Sequence, residues 1–164
     1  MPSNAKKGSG EKLIATNTAA KQNFYIEEVV EAGIVLTGTE IKSLRAQSPN
    51  LRDSYVEISG KKGTPLEPWL INTHIPPYSH GNIWNHEPMR RRKLLLSRHQ
   101  IEKLFGAITQ KGSTVIPTRM YFKNGFAKVE IALARGKTKG DKRDSSKKRD
   151  AQREIDQAKK ARSR

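Results

Sequence analysis

The chain has 164 residues and carries 32 Lys+Arg against 16 Asp+Glu, a formal net charge of +16. That length suits one domain with an extension and argues against two full cores. The charge calls for a polyanionic partner, nucleic acid first. No stretch is apolar enough for a membrane span or a secretory leader, and the absence of cysteine excludes disulfides, thiol nucleophiles and Cys-ligated zinc and fits a reducing cytoplasm.

Residues 1–12 carry net +2 among Gly, Ser and Pro and read as a flexible N-terminal arm. Residues 13–135 carry net +7 and hold nearly all the large apolar side chains, so they are the folded body. Residues 136–164 carry another +7 in 29 positions, with Ile155 their sole large aliphatic. Such a segment cannot bury enough surface to offset its ordering entropy, and it reads as a tail, disordered when free.

Within the body, Phe24 to Val30 forms a strand ended by Ala32-Gly33, and Ile34 to Leu36 continues beyond it. A short helix spans Glu40 to Ala46, with Thr39 as cap and Pro49 past its end. Ser54 to Ile58 and Trp69 to Ile75 are strands separated by the Gly63-Thr64-Pro65 turn. Residues 76–93 form a long loop with Pro76-Pro77, Gly81 and Pro88, and a loop of that length in a compact domain is usually functional or mobile. Leu94-Leu95-Leu96 is an apolar strand. Ser97 and Gln100 make a capping box for a helix whose stripe is Ile101, Leu104, Phe105 and Ile108, with Gly112 as C-cap. Ile116, Thr118, Met120 and Phe122 give the next strand its inner face. Asn124-Gly125 supplies a tight hairpin turn. The final strand alternates Ala127, Val129, Ile131 and Leu133 inward against Phe126, Lys128 and Glu130 outward. Many short antiparallel strands with two or three short helices predict a mainly β fold, a small closed barrel.

Catalysis finds no support. There is no phosphate-binding glycine loop, GxSxG elbow or HExxH helix. His74, His80 and His86 recur every six residues in a Pro-rich loop, which is not a metal-ligand spacing, and they read as solvent-facing. A ribonuclease pairing His74 or His99 with Lys remains a minor alternative. No metal or cofactor is expected. Arg90, Arg91, Arg92 and Lys93 form the densest basic run of the body, with Lys42, Arg45, Arg119, Lys123 and Lys128 elsewhere. Lys123 and Lys128 flank a hairpin whose outward face also carries Tyr121 and Phe126, the combination that base stacking and phosphate neutralisation need. Whether Tyr121 and Phe126 stack on bases or pack under another element is open. The tail from Asp144 onward is rich in good helix formers, with a thin stripe of Ala151, Ile155 and Ala158, and is expected to become helical on RNA.

Glu31-Ala32-Gly33-Ile34, Gly38-Thr39-Glu40-Ile41-Lys42-Ser43-Leu44-Arg45, Asn50-Leu51, Asp53-Ser54-Tyr55, Arg92-Lys93-Leu94-Leu95-Leu96, Tyr121-Phe122, Lys128-Val129, Ala134-Arg135-Gly136-Lys137 and Asp141-Lys142-Arg143 occur in that order. The set resembles the SmpB family, small proteins that partner bacterial transfer-messenger RNA (tmRNA). The resemblance implies an oligonucleotide-binding-like (OB-like) β-barrel with flanking helices and a basic tail. It implies a non-enzymatic cytoplasmic role in trans-translation: a monomer grips the tRNA-like domain of tmRNA near its elbow. With GTP-bound elongation factor Tu, it brings that RNA to stalled ribosomes. By position, Asn17, Glu31, Leu94 and Lys128 would touch tmRNA, with Lys42, Arg45, Arg90, Arg91, Arg92 and Lys93 as phosphate contacts beside them. The tail, including Lys137, Lys139, Asp141, Lys142 and Arg143, would enter the small-subunit decoding centre and the empty mRNA channel. Gly140 stands where many members carry a His able to stack on a ribosomal base. The alternative function is a generic OB-like module for single-stranded RNA or a ribosomal particle.

Overall fold

The computed structural model describes residues 10–163. The N-terminal arm therefore lies outside the described residues except for its last three positions, and Glu11 and Lys12 already belong to β1 (Glu11–Thr16). The remaining elements are α1 (Thr18–Asn23), β2 (Phe24–Ile34), α2 (Gly38–Ala46), β3 (Tyr55–Ser59), β4 (Glu67–Ile71), β5 (Arg92–Leu95), α3 (Arg98–Lys111), β6 (Thr114–Lys123), β7 (Phe126–Gly136) and α4 (Lys139–Arg162).

The strands form one antiparallel sheet in the order β1-β6-β7-β2-β5-β4-β3. The sheet curls so that β3 packs against β6. No ladder joins β1 to β3 among the described residues, so the expected closed barrel is instead an open, curled sheet with two ends. One apolar core fills the curl, built from Ala32, Leu44, Val56, Leu70, Leu94, Leu104, Val115, Met120, Val129 and Ile131 among others.

Local rules hold at the hairpin and at α3. Asn124 and Gly125 have φ of 52° and 82°, the paired positive values a two-residue turn needs. Ser97 Oγ accepts from Gln100 N at 3.3 Å, and Gly112 closes α3 at φ 63°. Elsewhere the sheet overrides the local pattern. Gly33 does not end β2, which runs on to Ile34. Its missing side chain makes room for Leu95, whose Cβ would lie only 3.1 Å from a Cβ on Gly33. The strand expected over Trp69 to Ile75 stops at Ile71, because Asn72 turns to φ 59°. A register shift at Thr118 reverses the parity of β6. Met120 and Phe122 keep to the main core, but Ile116 crosses to a small second cluster with Ala20 and Ala134 under α1.

Within the tail, expected to be disordered when free and helical on RNA, Lys139–Arg162 form the 24-residue helix α4. Thr138 and Asp141 cap it reciprocally at 3.2 Å each way. The stretch past Gly140 is free of Gly and Pro, so propensity favours one long helix. None of its described residues is buried, and it meets the body at α1. Its base is held by Lys137, whose N–H donates to Asn23 O at 2.8 Å and whose Nζ donates to Lys21 O at 2.9 Å. Among the described residues no helix is long and apolar enough to cross a membrane.

Candidate nucleic-acid interface

Cross-strand register assembles the outer face of the sheet in rows. Leu13, Tyr121, Lys128, Gly33 and Leu95 stand opposite one another across β1, β6, β7, β2 and β5. The next row is Thr16, Arg119, Glu130 and Glu31. Residues directly opposite point to the same side of a sheet, so Glu31 and Lys128 share a face and flank the gap that Gly33 leaves.

Glu31 is tightly held on that face. Its Oε2 accepts from the Tyr121 hydroxyl and, at 3.4 Å, from Lys123 Nζ. The Tyr121 hydrogen bond, followed by Lys123 and Lys128, holds its carboxyl below the usual range against a smaller upward push from burial. Burial and the Glu31 carboxylate together push the Tyr121 phenol upward. The neighbouring carboxylate, Glu130, is neutralised by Arg119 at 2.8 Å, and the Arg119 guanidinium lies 4.5 Å from the Tyr121 ring centroid. Tyr121 is 2% exposed and Phe126 70% exposed. The question left open by the sequence therefore divides: Tyr121 packs under Arg119 and orients Glu31, and Phe126 stands free to stack. Lys128 makes no ion pair among the described residues.

Leu94, expected on this face, is 1% exposed and belongs to the core; its neighbour Leu95, 55% exposed, lies opposite Gly33. The correction follows from parity: a run of three leucines gives no sign of which one points outward, and the pairing Gly33–Leu95 decides it. Asn17 is also buried. Its Nδ2 donates to Leu51 O at 3.1 Å and Pro117 O at 2.9 Å, tying α1 to β6 and to the segment before β3, and its Oδ1 has no partner. Its amide is spent on fixing the backbone at this corner.

The basic run splits by alternation. Arg92 has a fully buried side chain, bonded to Glu40 Oε1 at 3.0 Å and to Thr73 O at 2.7 Å, so it cannot reach a phosphate. Arg90 also turns inward, with Nε 2.9 Å from Glu40 Oε1 and Nη2 3.0 Å from Oε2. Arg91 and Lys93 turn outward. Arg91 lies 5.0 Å from the Trp69 ring centroid and 3.5 Å from Glu57; Lys93 pairs with Glu67 at 3.0 Å. Lys42 and Arg45 are exposed on α2, over the rings of Tyr78 and Phe122 at 5.7 Å and 5.9 Å.

Glu40 organises this edge and was missed in the sequence, where an acid in a first helical turn reads as a cap. It does accept from Thr37 N at 3.1 Å, and the cap of α2 is Thr37, two residues before the expected Thr39. Burial alone would raise its carboxyl, but hydrogen bonds from Arg90 and Thr37 and the charge of Arg92 outweigh that and lower it. His86, expected in solvent, is buried. Its Nε2 donates to Ile75 O at 3.0 Å, and its Nδ1 shares a hydrogen bond with the Thr39 hydroxyl at 2.9 Å.

In the tail, Lys139, Lys142 and Arg143 are exposed. Asp141 acts as the cap acid: hydrogen bonds from the Thr138 side chain and backbone hold its carboxyl low. Lys137 lies 4.9 Å from the Tyr25 ring centroid at the corner where α4 leaves the body.

The SmpB protein family model matches residues 14–161 of this chain. The SsrA-binding protein of Geobacillus thermodenitrificans (strain NG80-2) is 51% identical over 152 residues, covering 93% of this chain and 94% of that protein. The SsrA-binding protein of Pelobacter propionicus is 52% identical over 155 residues, covering 94% and 99%. A solved structure described as "tmRNA-SmpB: a journey to the center of the bacterial ribosome" superposes with a TM-score of 0.64 at 38% identity, covering 82% of this chain and 95% of that one.

Proposed function

The chain belongs to the SmpB family, and from that membership together with its cationic sheet face we propose that it binds tmRNA and acts with it in trans-translation on the ribosome. The observation that carries the reading is the outer row in which Lys128 and the gap at Gly33 lie beside a carboxylate already fixed by Tyr121. A fixed acceptor such as Glu31 suits base amino groups or ribose hydroxyls, and Lys128 with the exposed Lys42, Arg45, Arg91 and Lys93 suits the phosphates around them. Leu95 and Phe126 add the apolar and aromatic contact. Asn17, Arg92 and Leu94 act beneath this surface, and Arg90, a third of its side chain exposed, lies at its edge.

The body, residues 13–135, grips the tRNA-like domain near its elbow, and the tail, residues 136–164, works inside the ribosome. There it follows the decoding centre and mRNA channel, with Lys137, Lys139, Asp141, Lys142 and Arg143 at its root. The open curled sheet performs the work of an OB-like barrel. Elongation factor Tu with GTP joins through the RNA, the chain acts as a cytoplasmic monomer, and no catalytic step is assigned to it.

Competition gel shifts test this. The tRNA-like elbow should be bound much more tightly than an unstructured strand of equal length at matched salt. Affinity should fall by roughly 0.7–0.9 log units per tenfold salt for each neutralised phosphate. Equal affinities would favour a generic single-strand binder instead.

A further inference from the structure

The loop between β4 and β5 spends its hydrogen bonds on holding two apolar side chains in water. Asn85 closes it: its Oδ1 accepts from Tyr78 N at 3.0 Å and its Nδ2 donates to Tyr78 O at 2.6 Å. Inside that clasp Gly81 N donates to Tyr78 O at 3.0 Å and Trp84 N to Gly81 O at 3.1 Å, through a 3-10 turn over Asn82–Trp84. Asn82 adopts φ 47°, and a Cβ on Gly81 would lie 2.7 Å from Asn85 Nδ2. The loop's root is fixed by His86 and by Ile75 N donating to Pro88 O at 3.0 Å. On this pinned turn Ile83 is 86% and Trp84 83% exposed.

A rigid turn that withholds its one tryptophan from any core presents it to a partner. The surroundings name that partner's chemistry. Between residues 76 and 93 the sole acid is Glu87, and of the four cations that follow it Arg91 and Lys93 face outward. Lys42 lies over the ring of Tyr78 at 5.7 Å, and His80 meets that ring edge-on at 5.5 Å. The exposed indole stands on a turn clasped to Tyr78, where Lys42 and His80 gather, so a base on its face would have its phosphate within the field of these cationic and polar side chains. We propose that Trp84 is a stacking platform for an unpaired nucleobase of the tmRNA tRNA-like domain, a contact separate from the sheet face. The assignment rests on the RNA-binding reading above.

The test titrates the full chain with the tRNA-like domain while following tryptophan emission. Wild type should be quenched, and the quench should vanish in Trp84→Phe, which keeps a stacking ring and near-wild-type affinity. Trp84→Ala, with an unchanged melting curve, should bind about 5- to 150-fold more weakly, the span of base–aromatic stacking. Wild-type affinity in Trp84→Ala with unquenched emission in wild type overturns the proposal while leaving the RNA-binding reading intact. A chain that does not prefer the tRNA-like domain over linear RNA overturns both. Emission that changes with protein concentration alone, together with self-association lost in Trp84→Ala, assigns the turn to a second copy and overturns the base.

Discussion

Glu40 and Arg92 form an ion pair, Nε to Oε1 3.0 Å, in which both side chains are completely buried. Arg90 shares the same carboxylate from the solvent side, with a third of its side chain exposed. The pair joins α2 to β5, and the loop carrying Trp84 returns into it through the carbonyls of Glu87 and Pro88, which accept from Arg92 Nη2 at 3.5 Å and 3.0 Å. The outward cations Arg91 and Lys93 are thus set by two inward ones.

Removing one partner of a buried pair strands the other, so Glu40→Ala should lower the unfolding free energy by about 3–5 kcal/mol. Glu40→Leu combined with Arg92→Met should lose less, because no fully buried charge is left unpaired and Arg90, a third exposed, can turn to water. The depressed carboxyl of Glu40 gives the acid limb a definite sign. Its contribution is complete above the ordinary carboxylate range and is lost as pH falls through the lowered value. Urea melts between neutral and acid pH should show that loss in wild type and its absence in Glu40→Gln.

Leu94 and Leu95 separate stability from binding. Leu94→Ala opens a hole in the core and should cost about 2–5 kcal/mol. Leu95→Ala, on the exposed row opposite Gly33, should leave thermal unfolding nearly unchanged and weaken tmRNA binding in gel shifts. If Leu95→Ala binds like wild type, the sheet face beside Gly33 is not the contact surface. Gly33→Ala should mimic Leu95→Ala, since its Cβ would crowd Leu95 at 3.1 Å.

These adjacent leucines mark the limit of what was legible in the sequence. The Asn124-Gly125 hairpin and the Ser97 capping box are local events, readable because every atom involved lies within a few residues. Parity across a sheet is not local. The shift at Thr118 moves Ile116 to the opposite face without any change in apolar content, and Leu94-Leu95-Leu96 has no alternation from which to read direction. The basic run was legible as charge but not as geometry, because the acid that draws Arg90 and Arg92 inward lies 50 and 52 positions away. Glu31 and Lys128, on adjacent rows, share one face of the sheet.

Tyr121→Phe removes the hydroxyl that donates to Glu31 and keeps the packed ring. It should cost about 1 kcal/mol, the net worth of one hydrogen bond, and raise the Glu31 titration midpoint toward the ordinary carboxylate value. Since Glu31 is depressed in the folded chain, its contribution is present above the ordinary range and fades as pH falls through the lowered value. Carboxyl 13C shifts across an acid titration measure the midpoint directly. An unmoved midpoint would assign the hold on Glu31 to Lys123 and Lys128 instead of Tyr121.

Truncation separates the two cationic halves. A chain ending at Lys137 keeps the bond from Lys137 N to Asn23 O and loses α4, none of whose described residues is buried. Its fold and its preference for the tRNA-like elbow should therefore survive. The removed residues carry 11 basic and 5 acidic side chains, net +6. Affinity for linear RNA, which depends on charge alone, should fall further than affinity for the elbow, and its salt slope should shallow. Peptide tagging on stalled ribosomes should disappear, because the part proposed to enter the decoding centre is gone. Tagging that persists at wild-type rate would place that function in the body, and an equal loss of elbow and linear binding would make α4 part of the RNA grip.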